Sequence, residues 1–180
     1  MEKDKKLEIF RAFGNKLAQK AHWFLQNSFK IKKTEIGRRE LEDFISQKTG
    51  LPKSSIAMYD RKYYLTDWAV WQKLIEYDWT SEKQYKADIF DCDNFSSSFC
   101  SRMAEIYELN TAGRFSCELR NPITNKHIGD HRAVIIPTQE TDGLHLFVLE
   151  SQNDKWTEVK KGQPIVIGNW KYVPGWIELN

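Results

Sequence analysis

The sequence has no run of 18 or more apolar residues, so it contains no segment long enough to span a membrane as a helix. No apolar stretch follows the charged residues 2–6, and we therefore see no secretory signal peptide and expect a cytoplasmic protein. Only three cysteines are present. This odd number does not indicate the disulfide framework of a small secreted protein.

The chain does have a large aromatic fraction: 13 % of its residues are Phe, Trp or Tyr, which argues against disorder. A chain of 21.3 kDa can bury about 70 % of its unfolded surface, enough for a core without disulfide bonds. We predict a single domain over residues 1–180, in which a helical N-terminal extension over residues 1–55 precedes a body over residues 56–180.

Charge is distributed unevenly, although the net charge of +2 is too small to indicate a nucleic-acid-binding protein by itself. Residues 1–40 carry eleven Lys or Arg and five Asp or Glu, a net charge of +6. Such a region could contact nucleic acid or another anionic surface. We interpret it as the solvated face of an amphipathic helix, because the basic residues alternate with apolar ones.

The spacing of apolar residues changes from a helical period to a strand period near Gly113. The pattern predicts helices over residues 4–29, 34–50, 67–77 and 92–109, followed by strands over residues 114–119, 131–137, 144–151, 164–168 and 170–179. This order predicts an α+β fold. N-terminal helices and a central helix that carries Cys92 at its N-terminus pack on a C-terminal antiparallel sheet.

Cys92 lies in the most unusual segment of the sequence, the acidic stretch of residues 88–95 that leads into the predicted central helix. The unpaired N–H groups and the positive partial charge of a helix N-terminus stabilise a thiolate, the reactive form of cysteine. A nucleophilic cysteine also needs a histidine base from another element. The alternative is a small cysteine buried in the core.

The carboxylates beside Cys92 raise the pKa of its thiol, so something positive must offset them. A protonated histidine is one candidate, and a divalent cation is another. Four oxygen donors of the type that binds Ca²⁺, Mg²⁺ or Mn²⁺ lie within seven positions: Asp88, Asp91, Asp93 and Asn94. Capping of the helix by Asp91 or Asp93 explains part of the cluster equally well. We expect no organic cofactor.

His131 is the best placed of the four histidines, because it opens a predicted strand and can reach across a groove to a helix N-terminus. If this strand pairs with strand 144–151 through a turn centred near residue 141, position 131 faces position 151. Glu150 then lies within one residue of register and is a candidate to orient the imidazole ring. The other histidines are His22, His127 and His145.

Three short motifs carry a family resemblance: Asp-Cys-Asp-Asn-Phe at residues 91–95, Gly-Asp-His at 129–131 and Glu-Ser-Gln at 150–152. The sequence resembles the papain-like, transglutaminase-like cysteine peptidases, in particular the C-terminal catalytic domain of the mushroom chimeric lectin (agglutinin) group. The resemblance implies a papain-like catalytic body, a triad of Cys92, His131 and Glu150, and cations bound at Asp88 and Asp93. Because no lectin repeat precedes the motifs, it does not imply glycan targeting.

Two further groups of residues are candidates for contact with a ligand. The backbone N–H of Cys92 and the side chain of Gln152 or Gln84 could form an oxyanion hole. Trp170 and Trp176, with Tyr172 between them, are expected to cover the sheet. The alternative is a platform for a carbohydrate or a peptide.

The sequence therefore predicts a cysteine-dependent hydrolase, a peptidase or a related acyl-transferase, that acts on a protein or peptide and is activated by Ca²⁺ or Mn²⁺. The alternative is a non-catalytic binding or inhibitor protein on the same scaffold, such as a phage-encoded or host-directed effector. A nucleic-acid-associated protein that uses the basic residues 1–40 is a third and weaker interpretation.

Overall fold

The computed structural model describes residues 31–179, and Lys32–Asn180 forms one compact unit. The helix predicted over residues 4–29 lies outside the described residues. The single domain with a helical extension over residues 1–55 stays a prediction for the same reason. Within the described part, no helix combines the length and the apolar composition needed to cross a bilayer.

Three α-helices and nine strands make up the described residues. The helices are α1 (Arg38–Thr49), α2 (Trp68–Tyr77) and α3 (Cys92–Tyr107), with single 3-10 turns at Lys53–Ser55 and Thr80–Glu82. The strands are β1 (Thr34–Gly37), β2 (Ile56–Met58), β3 (Lys62–Leu65), β4 (Gly113–Arg120), β5 (His127–Glu140), β6 (Gly143–Glu150), β7 (Lys155–Glu158), β8 (Ile165–Ile167) and β9 (Trp170–Leu179). The predicted α+β class is confirmed.

Seven strands form the main sheet, in the order β2-β9-β4-β5-β6-β7, and β8 pairs with β9 beside this path. Strands β1 and β3 form a separate two-stranded sheet. The prediction of an antiparallel sheet needs one correction, because β2 pairs with β9 in parallel. More than a hundred residues separate these two strands, and no local pattern in the sequence reveals a pairing over that distance.

The start of helix α1 also differs from the prediction. Thr34–Gly37 forms strand β1, which pairs with β3, and the helix begins only at Arg38. Its end at Gly50 is confirmed: this residue has a φ of 76° and donates its backbone N–H to the carbonyl of Ser46. A left-handed residue just beyond the last turn is a common way to terminate a helix, and glycine adopts it without steric cost.

One face of the main sheet packs against α1. Leu41 and Ile45 of this helix have no exposed surface and contact the same core as Phe115 of β4 and Ile135 of β5. Burying a side chain of this size contributes about 1.5–3 kcal/mol. The core therefore fixes the positions of β4 and β5, the strands that carry the residues next to Cys92.

Candidate functional site

The start of helix α3 places Cys92, and the sequence around it explains why the helix begins there. Asp91 is the N-cap residue, and its backbone N–H donates to Oδ1 of Asn94, which is one half of a capping box. The rings of Phe90 and Phe95 meet edge to face, 4.8 Å apart, on either side of the cap. This contact joins the positions of a hydrophobic staple. Cys92 is thus held as the first residue of the helix.

The thiol of Cys92 is half-buried and lies against strand β5. A hydrogen bond with the His131 side chain lowers the pKa of Cys92. Partial burial opposes this effect, and a hydrogen bond with the backbone of Arg132 adds to it. The negative charge of Asp91 acts in the opposite direction but is the smallest of these influences. The positive partner that the sequence analysis required is therefore a histidine.

Glu150 is the second partner of His131. Its Oε2 lies 2.6 Å from Nε2 of His131 and accepts a hydrogen bond of 3.0 Å from the hydroxyl of Tyr172. Its Oε1 accepts the backbone N–H of Gln152 at 3.3 Å. The carboxylate is almost fully buried, so these contacts replace the water that it would otherwise bind. Glu150 therefore fixes the orientation of the imidazole ring, and Tyr172 and Gln152 fix the carboxylate of Glu150.

The protonated form of His131 is favoured at this position. Burial lowers the pKa of His131, but hydrogen bonds with Cys92 and Glu150, together with the negative charges of both, outweigh burial and raise it to about 9. A lowered thiol pKa beside a raised imidazole pKa favours a thiolate–imidazolium pair. Such a pair can react with an electrophile, for example an alkylating agent.

The register between β5 and β6 differs by one position from the expectation. Val134 pairs with Leu149, so the ladder places position 131 opposite position 152 instead of 151. If this ladder is extended by one pair, Glu150 lies opposite Ala133. Ala133 is two residues from His131, so both side chains are on the same face of the strand. The long glutamate side chain spans this offset, and the predicted proximity of His131 and Glu150 is confirmed.

The remaining histidines of the described part lie elsewhere. His145 contacts two carboxylates, with Nδ1 2.9 Å from Glu158 and Nε2 3.1 Å from Asp142. His127 is half-exposed, and its Nε2 is 3.6 Å from Asp130. His22 lies outside the described residues. His131 is the histidine that the structure brings to Cys92.

The acidic cluster does not form a metal site in the described residues. Within residues 31–179, no three His, Cys, Asp or Glu side chains are arranged to hold a metal ion. Asp91 and Asp93 instead share a hydrogen bond that raises the pKa of Asp91 and lowers that of Asp93. Asn94 is used in the cap, and Asp88 is exposed in a left-handed conformation. The expectation of a metal-binding protein is corrected accordingly. An effect of Ca²⁺ or Mn²⁺ on the chain stays a prediction.

Two cavities meet at Cys92 and His131. The first, which we call the Trp176 cavity, has a volume of about 420 Å³ and extends past Cys117, Arg132 and Trp176. The second, which we call the Trp170 cavity, has a volume of about 510 Å³. It is lined on its far side by Tyr85, Gln152, Asn153, Asn169 and Trp170. A ligand that fills either cavity comes close to the Cys92–His131 pair.

The two glutamines predicted for an oxyanion hole are placed differently. Gln152 lines the Trp170 cavity together with Cys92, whereas Gln84 is exposed and lines neither cavity. The catalytic roles assigned to Cys92, His131 and Glu150, and the oxyanion role of the glutamines, stay predictions. Sequence reasoning missed the part that Tyr172 plays as the buried hydrogen-bond partner of Glu150. No pattern in the sequence could have revealed it, because the contact joins β9 to the end of β6.

The fold of the chain is similar to that of known lectin structures. One is PSL1a from Polyporus squamosus in complex with E64, with a TM-score of 0.56 and 14 % sequence identity over 80 % of this chain. Another is Polyporus squamosus lectin bound to the human-type influenza-binding epitope Neu5Aca2-6Galb1-4GlcNAc, with a TM-score of 0.45 and 14 % identity over 69 % of this chain. This chain spans about half of the first structure, 51 % of its length.

No family model matches the sequence, and no curated protein does so either. The comparisons therefore correct the identification made from the motifs. They support a fold shared with a lectin and give no support to a papain-like, transglutaminase-like cysteine peptidase. The predictions of a cysteine-dependent hydrolase and of a protein or peptide substrate are corrected with it, in favour of the alternative of a binding protein.

Proposed function

We propose that the chain is a non-catalytic binding protein, and that its ligand is a carbohydrate held in the Trp170 cavity. The observation that carries the proposal is the composition of that cavity. An indole ring and a phenol ring, Trp170 and Tyr85, stand about half-exposed at a cavity that also presents the amide side chains of Gln152, Asn153 and Asn169.

These side chains suit a sugar for physical reasons. An aromatic ring offers a flat apolar surface with a polar edge, which matches the apolar face of a pyranose ring. Amide groups donate and accept hydrogen bonds at once, as hydroxyl groups of a sugar require. A site with few polar groups around an aromatic surface is the usual design of a small-molecule pocket.

The fold supports the same proposal at a coarser level. The PSL1a structure that shares the fold is the structure of a lectin. A sequence identity of 14 % supports a shared fold and does not by itself support a shared ligand. The Cys92–His131 pair also lines this cavity, so a bound sugar would contact a charged and hydrogen-bonding surface there. In this function the pair contributes contacts and orientation without a chemical step.

Calorimetric titration of the full chain with a panel of mono- and oligosaccharides tests the proposal. We expect saturable binding, and Trp170→Ala should weaken it at least tenfold, about 1.4 kcal/mol. The matched control is Trp79→Ala, because Trp79 is also exposed but stacks on Arg102 and lines neither cavity. The control should bind as the wild type does. Absence of binding, or equal loss in both variants, would contradict the carbohydrate site.

A second measurement addresses the non-catalytic part of the proposal. The wild type and Cys92→Ala are incubated with a peptide library and with amide and ester substrates, and product release is followed by mass spectrometry. We expect no difference between the two proteins. Turnover by the wild type that disappears in Cys92→Ala would overturn the non-catalytic proposal, whatever the result of the sugar titrations.

A further inference from the structure

A second cysteine faces the same cavity as Cys92. Cys117 lies on β4, is buried, and lines the Trp176 cavity together with Cys92. In the β4–β5 ladder, Cys117 is directly opposite His131, the residue whose ring is hydrogen-bonded to Cys92. Residues that face each other in an antiparallel ladder have Cβ atoms about 5 Å apart on the same side of the sheet. Cys117 therefore lies beside the residue whose ring interacts with Cys92.

The two cysteines border the same cavity. The weak contact of Cys117 Sγ, with the carbonyl of His131, is 3.6 Å long. The charges of the two thiols also influence each other, since a negative Cys92 raises the pKa of Cys117. Cys92 is the first residue of α3, and the segment before it, residues 85–89, is exposed.

We propose that Cys92 and Cys117 are a modification site at which a peroxide forms a disulfide bond. The thiolate of Cys92 attacks one oxygen of hydrogen peroxide, the O–O bond breaks, and a sulfenic acid and hydroxide are formed. The sulfur of Cys117 then attacks the sulfenic sulfur, the S–S bond forms and the S–O bond breaks. The leaving hydroxide takes the proton of Cys117 and leaves as water. The hydroxide of the first step takes the proton that Cys92 had given to His131, so that overall two thiols are oxidised and one peroxide is reduced to two waters.

Cys92 and Cys117 have different parts in this reaction because their surroundings differ. The hydrogen bond with His131 gives Cys92 thiolate character, which makes it the attacking group. Burial keeps Cys117 protonated, so it acts second, once the sulfenic acid stands next to it. The bond draws Cys92 away from His131 and closes the point where the Trp176 and Trp170 cavities meet.

Peptide mapping without reduction tests the proposal on the full-length protein. The protein is treated with a small excess of hydrogen peroxide, free thiols are blocked with N-ethylmaleimide, and the cross-linked peptides are identified by mass spectrometry. We expect one intramolecular link between the peptides that contain Cys92 and Cys117, at a rate independent of protein concentration. Dithiothreitol should reverse it and restore alkylation of Cys92.

Two variants sharpen the result. Cys117→Ser should give no link and should leave Cys92 as a sulfenic acid that dimedone traps, or as a sulfinic acid at longer times. Cys100→Ser is the matched control, because Cys100 is buried two turns further along α3 and should not affect the link. A wild type that gives sulfinic acid at Cys92 without the link, or that cross-links only between molecules, would overturn the proposal. The concentration dependence in the wild type decides the matter even if Cys117→Ser does not fold.

Discussion

The carboxylate of Glu150 lies 2.6 Å from the imidazole of His131 although the two residues are not opposite each other in the β5–β6 ladder. Glu150 stands at the end of β6, beyond the last pair of that ladder, and its side chain runs back along β5. The same carboxylate accepts the hydroxyl of Tyr172 from β9. One buried charge thereby connects β5, β6 and β9, and it depends on His131 for its positive partner.

Replacement of this charge is expected to destabilise the fold. Glu150→Gln keeps the shape but removes the buried carboxylate from the protonated ring of His131, so we expect a loss of about 3 kcal/mol in the free energy of unfolding. Urea denaturation at pH 6.5 measures it. Glu158→Gln is the control, because Glu158 also contacts a histidine, His145, but at a more exposed position. Its effect should stay below about 1 kcal/mol. Equal losses would show that burial of Glu150 is not decisive.

The raised pKa of His131 predicts a dependence of stability on pH. In the unfolded chain its pKa is about 6.5, and in the folded protein it is about 9, so the folded state binds the proton more tightly. This contribution to stability is complete below pH 6.5 and is lost as the pH rises through 9. We expect the difference between wild type and Glu150→Gln to shrink over that range. Denaturation curves at pH 6 and pH 9.5 measure the change, and a constant difference would contradict it.

The lowered pKa of Cys92 predicts that this thiol is alkylated at a lower pH than an ordinary cysteine. The iodoacetamide reaction should reach half of its maximal rate at a pH below that of an ordinary cysteine, whose pKa is about 8.5. His131→Ala removes the main cause of the shift, so the rate at pH 7 should fall about tenfold for each unit by which the pKa rises. Cys100 and Cys117 serve as internal references, because burial raises the pKa of both thiols. Unchanged reactivity in His131→Ala would refute the thiolate–imidazolium pair.

The close approach of β4 and β9 predicts that a side chain at position 113 destabilises the fold. A Cβ atom there would lie 2.8 Å from the carbonyl oxygen of Glu178 and 2.9 Å from a side-chain carbon of Leu179, on the neighbouring strand β9. Gly113→Ala should therefore cost about 1–3 kcal/mol of stability. Gly129→Ala on β5 is the matched control, because nothing lies within 4 Å of its added Cβ. Thermal melts of both variants compare them, and equal melting temperatures would disprove the close packing.

The helices and strands whose apolar residues recur at regular spacing could be predicted from the sequence. Helices α2 and α3 begin within one residue of their predicted starts, and the predicted strands over residues 114–119 and 144–151 correspond to β4 and β6. These segments have many apolar residues on one face, and a buried face leaves little freedom in the assignment. The same regularity placed Cys92 at a helix N-terminus and His131 on a strand, but β5 begins at His127, so His131 lies within the strand instead of opening it.

The remaining features depend on contacts between distant segments. The four residues of β1 continue the helical pattern of α1, and only pairing with β3 makes them a strand. The residues around Cys92 have the donor atoms of a metal site, but Asp91 and Asn94 form a helix cap, and no three His, Cys, Asp or Glu side chains of the described residues are arranged to hold a metal ion. The role of Tyr172 depends on the partner it meets across the sheet, which residue types alone do not reveal.

Strand β9 has consequences for how the chain assembles. It follows the other eight strands in the sequence, yet it lies inside the sheet and pairs with β2, β4 and β8. Until this segment is available, β4 has an open edge and β2 has no partner in the main sheet. Pairings between such distant segments form slowly, because the loop between them must close first. During synthesis, the unfinished chain therefore exposes a strand edge on which other chains could add, and burial of Tyr172 against Glu150 marks the step that removes it.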